Sequence, residues 1–132
     1  MAIKYQIDPE MGVIYVNLAG TVHDLDFVTA VDEALHDPGY RAGINSLIDF
    51  RAVERFDVSN QTIRRAVGMV SDQLDDYNQP WKAAIVAPAN LVYGLSRMYQ
   101  LLREGSMEEV GVFRDAESAR EWLGLPKEDA GP

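Results

Sequence analysis

The chain has 132 residues and no cysteine, and 21 acidic against 12 basic side chains give it a formal charge of −9. Its length is that of one domain, and 47% hydrophobic with 25% charged residues is typical of a globular protein rather than a disordered or fibrous one. The lack of cysteine excludes thiol catalysis, zinc ribbons and iron–sulfur clusters. The acidic balance disfavours nucleic acid and anionic membranes as partners. Because no signal peptide or long apolar run is evident, we expect a cytoplasmic location and no membrane insertion.

Two strands and a helix are predicted first. Residues 3–8 alternate between apolar and polar, which indicates a half-buried strand. A turn at 9–12 follows, and a second strand from Val13 to Gly20 completes an antiparallel hairpin at the edge of a sheet. Thr21 or Asp24 is suited to cap the next helix, which the Pro38-Gly39 pair ends.

The rest of the chain alternates strands and helices. Strands are predicted at 44–50, 81–86 and 110–113, with a loop at 51–57 and helices that begin near Ser59, at Leu91 and after Asp115. The order β-β-α-β-α-β-α-β-α predicts one α/β domain over residues 1–125, in which helices cover a mixed sheet joined by right-handed crossovers. The tail at 126–132 is expected to fray.

The segment from the third strand to the next helix resembles a STAS domain. Ile48-Asp49-Phe50, followed by Phe56-Asp57-Val58-Ser59-Asn60, is similar to the pattern of a strand that ends in an acid, a loop, and Asp-Ser-Ser-Gly at a helix start. Val58 and Asn60 replace the first serine and the glycine of that pattern. STAS domains include the bacterial anti-sigma-factor antagonists such as SpoIIAA. The resemblance implies a SpoIIAA-like fold and a non-enzymatic regulatory module that binds another protein.

The same resemblance implies that Ser59 accepts a phosphate from a kinase partner, with Asp57 as its neighbour. A phosphate at a helix start is stabilised by unpaired backbone N–H groups and by the helix dipole. The alternative is that Ser59 is an ordinary N-cap, since serine is favoured there without any modification.

Two further hypotheses stay open. A carrier of a small apolar or anionic ligand would have an apolar cavity of a few hundred Å³, lined by Ile63, Leu95 and Met98, with ligand contacts from Arg51, Arg55, Arg64, Arg65 and Tyr93. An interaction module would instead have a filled core and an exposed patch, for which Tyr93, Met98 and Tyr99 indicate a binding surface or a homodimer contact.

An enzyme ranks third among the hypotheses, because the sequence indicates no nucleophile with a base beside it. The two histidines, His23 and His36, flank one predicted helix and have no evident partner. We therefore predict no catalytic residue, no metal site and no cofactor.

Overall fold

The computed structural model describes residues 2–75 and 78–128, and the fold below refers to these ranges. Their strands are β1 (Ile3–Asp8), β2 (Val13–His23), β3 (Asn45–Asp57), β4 (Trp81–Val86) and β5 (Glu108–Phe113). Their helices are α1 (Asp24–Leu35), α2 (Asn60–Leu74), α3 (Asn90–Leu102) and α4 (Ala116–Leu123).

The five strands form one sheet in the order β1-β2-β3-β4-β5. β1 and β2 pair antiparallel as an edge hairpin, and the remaining neighbours pair parallel. The predicted mixed sheet with an N-terminal antiparallel hairpin is therefore confirmed. Parallel strands that are adjacent in sequence require a helical crossover between them, and this is the role of α1, α2 and α3.

The helices are divided unequally between the two faces of the sheet. Since consecutive crossovers have the same hand, α1, α2 and α3 share one face, where their apolar side chains meet Leu18, Phe50 and Ile85. α4 alone covers the other face, where Ala119 packs in a separate cluster with Val86. Side chains alternate along each strand, so every central strand contributes to both clusters.

β3 is longer than predicted, because residues 51–57 continue the strand rather than form a loop. β2 likewise runs on to His23, and the two extensions pair with each other as far as His23 with Asp57. Two shifts of register interrupt this pairing, the second of them at Gly20, whose φ of +67° favours glycine. The sequence did not indicate this extension because it is stabilised by pairing with a distant strand.

The helix caps agree with the prediction at two sites and differ at a third. Ser59 caps α2 and Asp115 caps α4, as predicted. The cap of α1 is His23 rather than Thr21 or Asp24. The prediction was wrong because β2 includes Thr21 and extends to the residue before the helix.

The last described residues lie against the α4 face. Arg120 donates a hydrogen bond of 2.7 Å from Nε to the carbonyl oxygen of Pro126, and Glu128 pairs with Arg51 at 2.6 Å. Of the tail predicted to fray, residues 129–132 lie outside the described residues. None of the helices described is long and apolar enough to cross a membrane.

Candidate functional site

A cavity of about 170 Å³ lies between the sheet and helices α1, α2 and α3. Its floor includes Ile14, Ile48 and Ile85 of the central strands, and its roof includes Ile63 of α2 and Leu95 of α3. Voids larger than a water molecule are few in protein interiors. The cavity is partly open rather than sealed.

The cavity exists because small side chains line it from the helices. Ala30 and Ala34 of α1 and Ala66 of α2 all face it, and an alanine leaves space that a larger residue would fill. None of the residues of α1 is fully buried, whereas α2 and α3 each have buried residues. The α1 side is therefore the more accessible wall of the cavity.

One end of the cavity carries a buried polar cluster formed by Tyr99, Arg103 and Glu108. The Glu108 atom Oε1 accepts hydrogen bonds of 2.7 Å from both the Tyr99 hydroxyl and Arg103 Nε. The other guanidinium nitrogens of Arg103 donate to Ser71 Oγ and to Asp75 Oδ1, each at 2.9 Å. The side chains of Arg103 and Glu108 are only 2% and 7% exposed. Each guanidinium nitrogen of Arg103 therefore donates a hydrogen bond to a protein partner.

The turn between α3 and β5 brings this cluster together. Gly105 has a φ of +84°, a conformation that glycine adopts without strain. Ser106 then donates a hydrogen bond from Oγ to the Arg103 carbonyl oxygen at 2.7 Å and accepts one from the Glu108 N–H at 3.2 Å. As a result, Arg103 at the end of α3 faces Glu108 at the start of β5.

The surroundings of the cluster alter the pKa of several groups. Burial, together with the charge of Glu108, raises the pKa of Tyr99 well above its usual value. Burial and the same charge raise the pKa of Tyr40, in the segment between α1 and β3, to about 12. Burial lowers the pKa of Arg103, but the hydrogen bond to Asp75 and the charge of Glu108 outweigh this and raise it overall. Both tyrosines are therefore neutral hydroxyl groups at ordinary pH.

The structure places the predicted phospho-acceptor at an exposed corner, away from the cavity. Ser59 Oγ accepts a hydrogen bond from the Thr62 N–H and donates one to Thr62 Oγ1, both at 3.1 Å. The Ser59 N–H donates to Asp24 Oδ1 at 2.8 Å, a bond that lowers the pKa of Asp24. Asp57, the predicted neighbour, lies 3.5 Å from His23. The role of Ser59 and Asp57 in regulation stays a prediction.

The predicted ligand contacts lie outside the cavity. Arg51 is held between Asp49 at 2.7 Å and Glu128 at 2.6 Å, and Tyr93 lies under Arg114, whose guanidinium carbon is 3.8 Å from the ring centroid. The remaining arginines are exposed: Arg55, Arg64 and Arg65. Among the described residues, the cavity lining includes none of these five candidates.

The cavity lining itself matches the sequence prediction at Ile63 and Leu95 but not at Met98. Met98 packs against the same core without lining the cavity. Five polar lining residues were missed: Tyr5, Tyr40, Ser46, Ser96 and Glu108. Ser96 lies in the middle of an apolar helix face, and this was the one signal in the sequence that could have indicated it. Glu108 was missed because the predicted strand began only at Val110.

The fold of the chain resembles that of a solved structure. No protein-family model matches the chain, and no curated protein matches it. A solved structure from Shewanella loihica, described as an uncharacterized protein of the DUF3478 family with a SpoIIAA-like fold, has a TM-score of 0.56 over 92% of both chains. The chain has a SpoIIAA-like fold. At 16% identity the likeness shows the fold alone, and the fold predicted from the residues around Ser59 is confirmed.

Within the SpoIIAA-like fold, the two candidate regions lie on the same layer but at different places. The cavity lies beneath α1, α2 and α3, whereas Ser59 is exposed at the start of α2. A ligand in the cavity and a partner at the corner would therefore contact different side chains.

Proposed function

We propose that this protein is a binding module for a small apolar molecule held between its sheet and helices α1, α2 and α3. The cavity of about 170 Å³ carries the proposal. An apolar cavity of ~150 Å³ in another protein stays dry and takes up benzene, whereas pockets for drug-sized ligands measure ~300–1,000 Å³. The ligand is accordingly a small one, comparable with a single aromatic ring.

The attachment of α1 suggests how such a ligand enters. Asp24 at the start of α1 accepts the Ser59 N–H at 2.8 Å, and just beyond its end Asp37 accepts the Tyr5 hydroxyl at 2.7 Å. Between these two anchors, Phe27, Ala30 and Ala34 are only partly buried. Entry by outward movement of the middle of α1 would break neither anchor.

Benzene is a direct probe of this proposal. We expect benzene to raise the melting temperature of the protein in a saturable way as its concentration increases. The reason is that a ligand that binds only the folded state stabilises that state by mass action. Ala66→Leu, which fills the cavity from α2, should abolish the effect, and Ala34→Leu should do so from α1. Arg65→Leu is the matched control, since it adds the same side chain to an exposed position of α2.

Heteronuclear NMR of the same titration locates the site. The proposal requires that the amide shifts move around the cavity, for example at Ile48, Ala66 and Leu95. A titration without saturation, or one whose shifts concentrate around α4, would contradict it. Retained binding in both leucine variants would contradict it equally.

A second candidate is a regulatory module of the STAS type that binds another protein or a second copy of itself. One observation favours it: α1, α2 and α3 all begin at the same edge of the sheet, where Leu25 and Leu91 are 76% and 60% exposed and Ser59 is exposed as well. Exposed apolar side chains rimmed by polar ones are typical of protein-binding surfaces. Phosphorylation of Ser59 would add about −1.5 to −2 charges to this edge.

This second candidate is tested by phosphorylation in extracts of the source cells. Labelled ATP should mark the wild-type chain and not Ser59→Ala. Ser118→Ala is the matched control, because Ser118 is also exposed in the first turn of a helix. Labelling that persists in Ser59→Ala would remove Ser59 from the account.

A further inference from the structure

The cavity has a polar end and an apolar end. Glu108 is the first residue of β5, Ser46 lies near the start of β3, and Tyr40 lies in the segment before that strand. Because parallel strands begin at one edge of the sheet, these residues share one end of the cavity. The opposite end is lined by the rings of Phe27, Phe50 and Phe56, the last in edge-to-face contact with both others. A ligand with one polar group therefore has a defined orientation.

The charges at the polar end disfavour an anion. Within residues 2–75 and 78–128, the cavity lining contains no Lys, Arg or His, and its charged member is Glu108. Arg103 lies behind Glu108, but its nitrogens are bonded to Ser71, Asp75 and Glu108 itself. A carboxylate or phosphate in the cavity would face the Glu108 carboxylate without a cation to neutralise it, which is strongly unfavourable in an apolar interior.

The hydrogen-bonding groups at this end fit a hydroxyl. Tyr40 and Ser46 lie at this end, and Ser96 lines the cavity from the middle of α3. The hydroxyl groups of all three form no hydrogen bond with any residue of the described ranges. Glu108 Oε1 is occupied by two donors, whereas Oε2 accepts none from these ranges. A ligand hydroxyl can donate to a carboxylate oxygen and accept from a tyrosine hydroxyl at once. The pKa of Tyr40, raised to about 12 by burial and the charge of Glu108, keeps that hydroxyl protonated as a donor.

We infer that the cavity selects a neutral molecule with a hydroxyl group, such as a phenol or a short alcohol, and holds that hydroxyl between Tyr40 and Glu108. This inference rests on the proposed binding of a small apolar molecule. It adds the chemical class of the ligand, its orientation and the exclusion of the corresponding acids.

Benzene, phenol and benzoate, titrated at pH 7 by calorimetry or NMR, separate the two claims. They share one ring and differ in the polar group alone. We expect phenol and benzene to bind, and benzoate to bind at least about tenfold more weakly than phenol. Tyr40→Phe should lower the affinity for phenol roughly threefold to tenfold, as expected for the loss of one hydrogen bond. The affinity for benzene should stay unchanged. Tyr15→Phe, on the α4 face, is the matched control.

Each outcome decides one of the claims. If none of the three probes binds, the proposed function fails and the inference fails with it. If benzene binds but phenol does not, or if benzoate binds as tightly as phenol, the inference is overturned and the proposed function stands. An equal loss of affinity for benzene and phenol in Tyr40→Phe would also overturn the inference. Such a result would show a change in the shape of the cavity rather than the loss of a hydroxyl contact.

Discussion

The two faces of the sheet differ in how tightly their side chains pack. On the α4 face, a methyl group added at Gly111 would lie 2.8 Å from a ring carbon of Phe113 and 3.0 Å from one of Trp122, closer than carbon atoms approach. On the opposite face, three helices cover a partly open cavity of about 170 Å³ and a buried charged cluster. A single short helix therefore packs its face more fully than three longer ones pack theirs. The difference indicates that the α4 face has no room for an added side chain at Gly111, whereas the cavity face leaves space unfilled.

The largest expected effect concerns the charged cluster of the cavity face. Arg103→Met should lower the free energy of unfolding by about 3–5 kcal/mol, because it leaves the Glu108 carboxylate buried without its cation. The exposed pairs of Arg51 provide the control, and Arg51→Met should cost less than about 1 kcal/mol. Urea unfolding of both variants measures the difference. Equal costs would show that Arg103 is as well solvated as Arg51.

A smaller effect compares the packing of the two faces directly. Gly111→Ala should destabilise by about 1–3 kcal/mol, because the Phe113 and Trp122 rings must move. Ala66→Leu adds more atoms to the cavity wall and should be neutral or stabilising by up to about 2 kcal/mol, since it fills space. Thermal unfolding measures both. A greater loss of stability in Ala66→Leu than in Gly111→Ala would contradict the difference in packing between the two faces.

The last effect appears only at alkaline pH and originates on the cavity face. The folded-state pKa of Tyr40 is about 12, raised by burial and the charge of Glu108, and that of Tyr5 is about 12, raised by its hydrogen bond to Asp37. Both exceed the value of about 10 in an unfolded chain. Their stabilisation is therefore complete below pH ~10 and is lost as the pH rises toward ~12.

The dependence is measured as the free energy of unfolding against pH. Tyr40→Phe should flatten the decline between pH ~10 and ~12, and Tyr15→Phe serves as the control for removal of a hydroxyl on the other face. An unchanged slope in Tyr40→Phe would show that Tyr40 is solvated.

The sequence predicted local features better than those that depend on distant contacts. Strand β4 at 81–86 and the caps Ser59 and Asp115 follow from short apolar runs and from residues that satisfy helix ends nearby. The continuation of β3 through residues 51–57 depends on pairing with β2, and its exposed arginines resemble those of a loop.

The candidate site was predicted less well for a related reason. In the sequence, Arg103 and Glu108 resemble ordinary surface charges. The turn at Gly105 and Ser106 brings them face to face in the interior, and this turn is visible only in the structure. The apolar periodicity of the helices indicated which residues point inward. Whether three such faces leave a cavity depends on how closely the helices pack on the sheet, which periodicity does not determine.

A crystal structure of the protein under xenon pressure tests the central claim most directly, because xenon enters apolar cavities and is located by its anomalous scattering. We expect a xenon site between Ile85 and Ala66 on the cavity face and none between the sheet and α4. Side chains that fill this space, or xenon found only under α4, would contradict it.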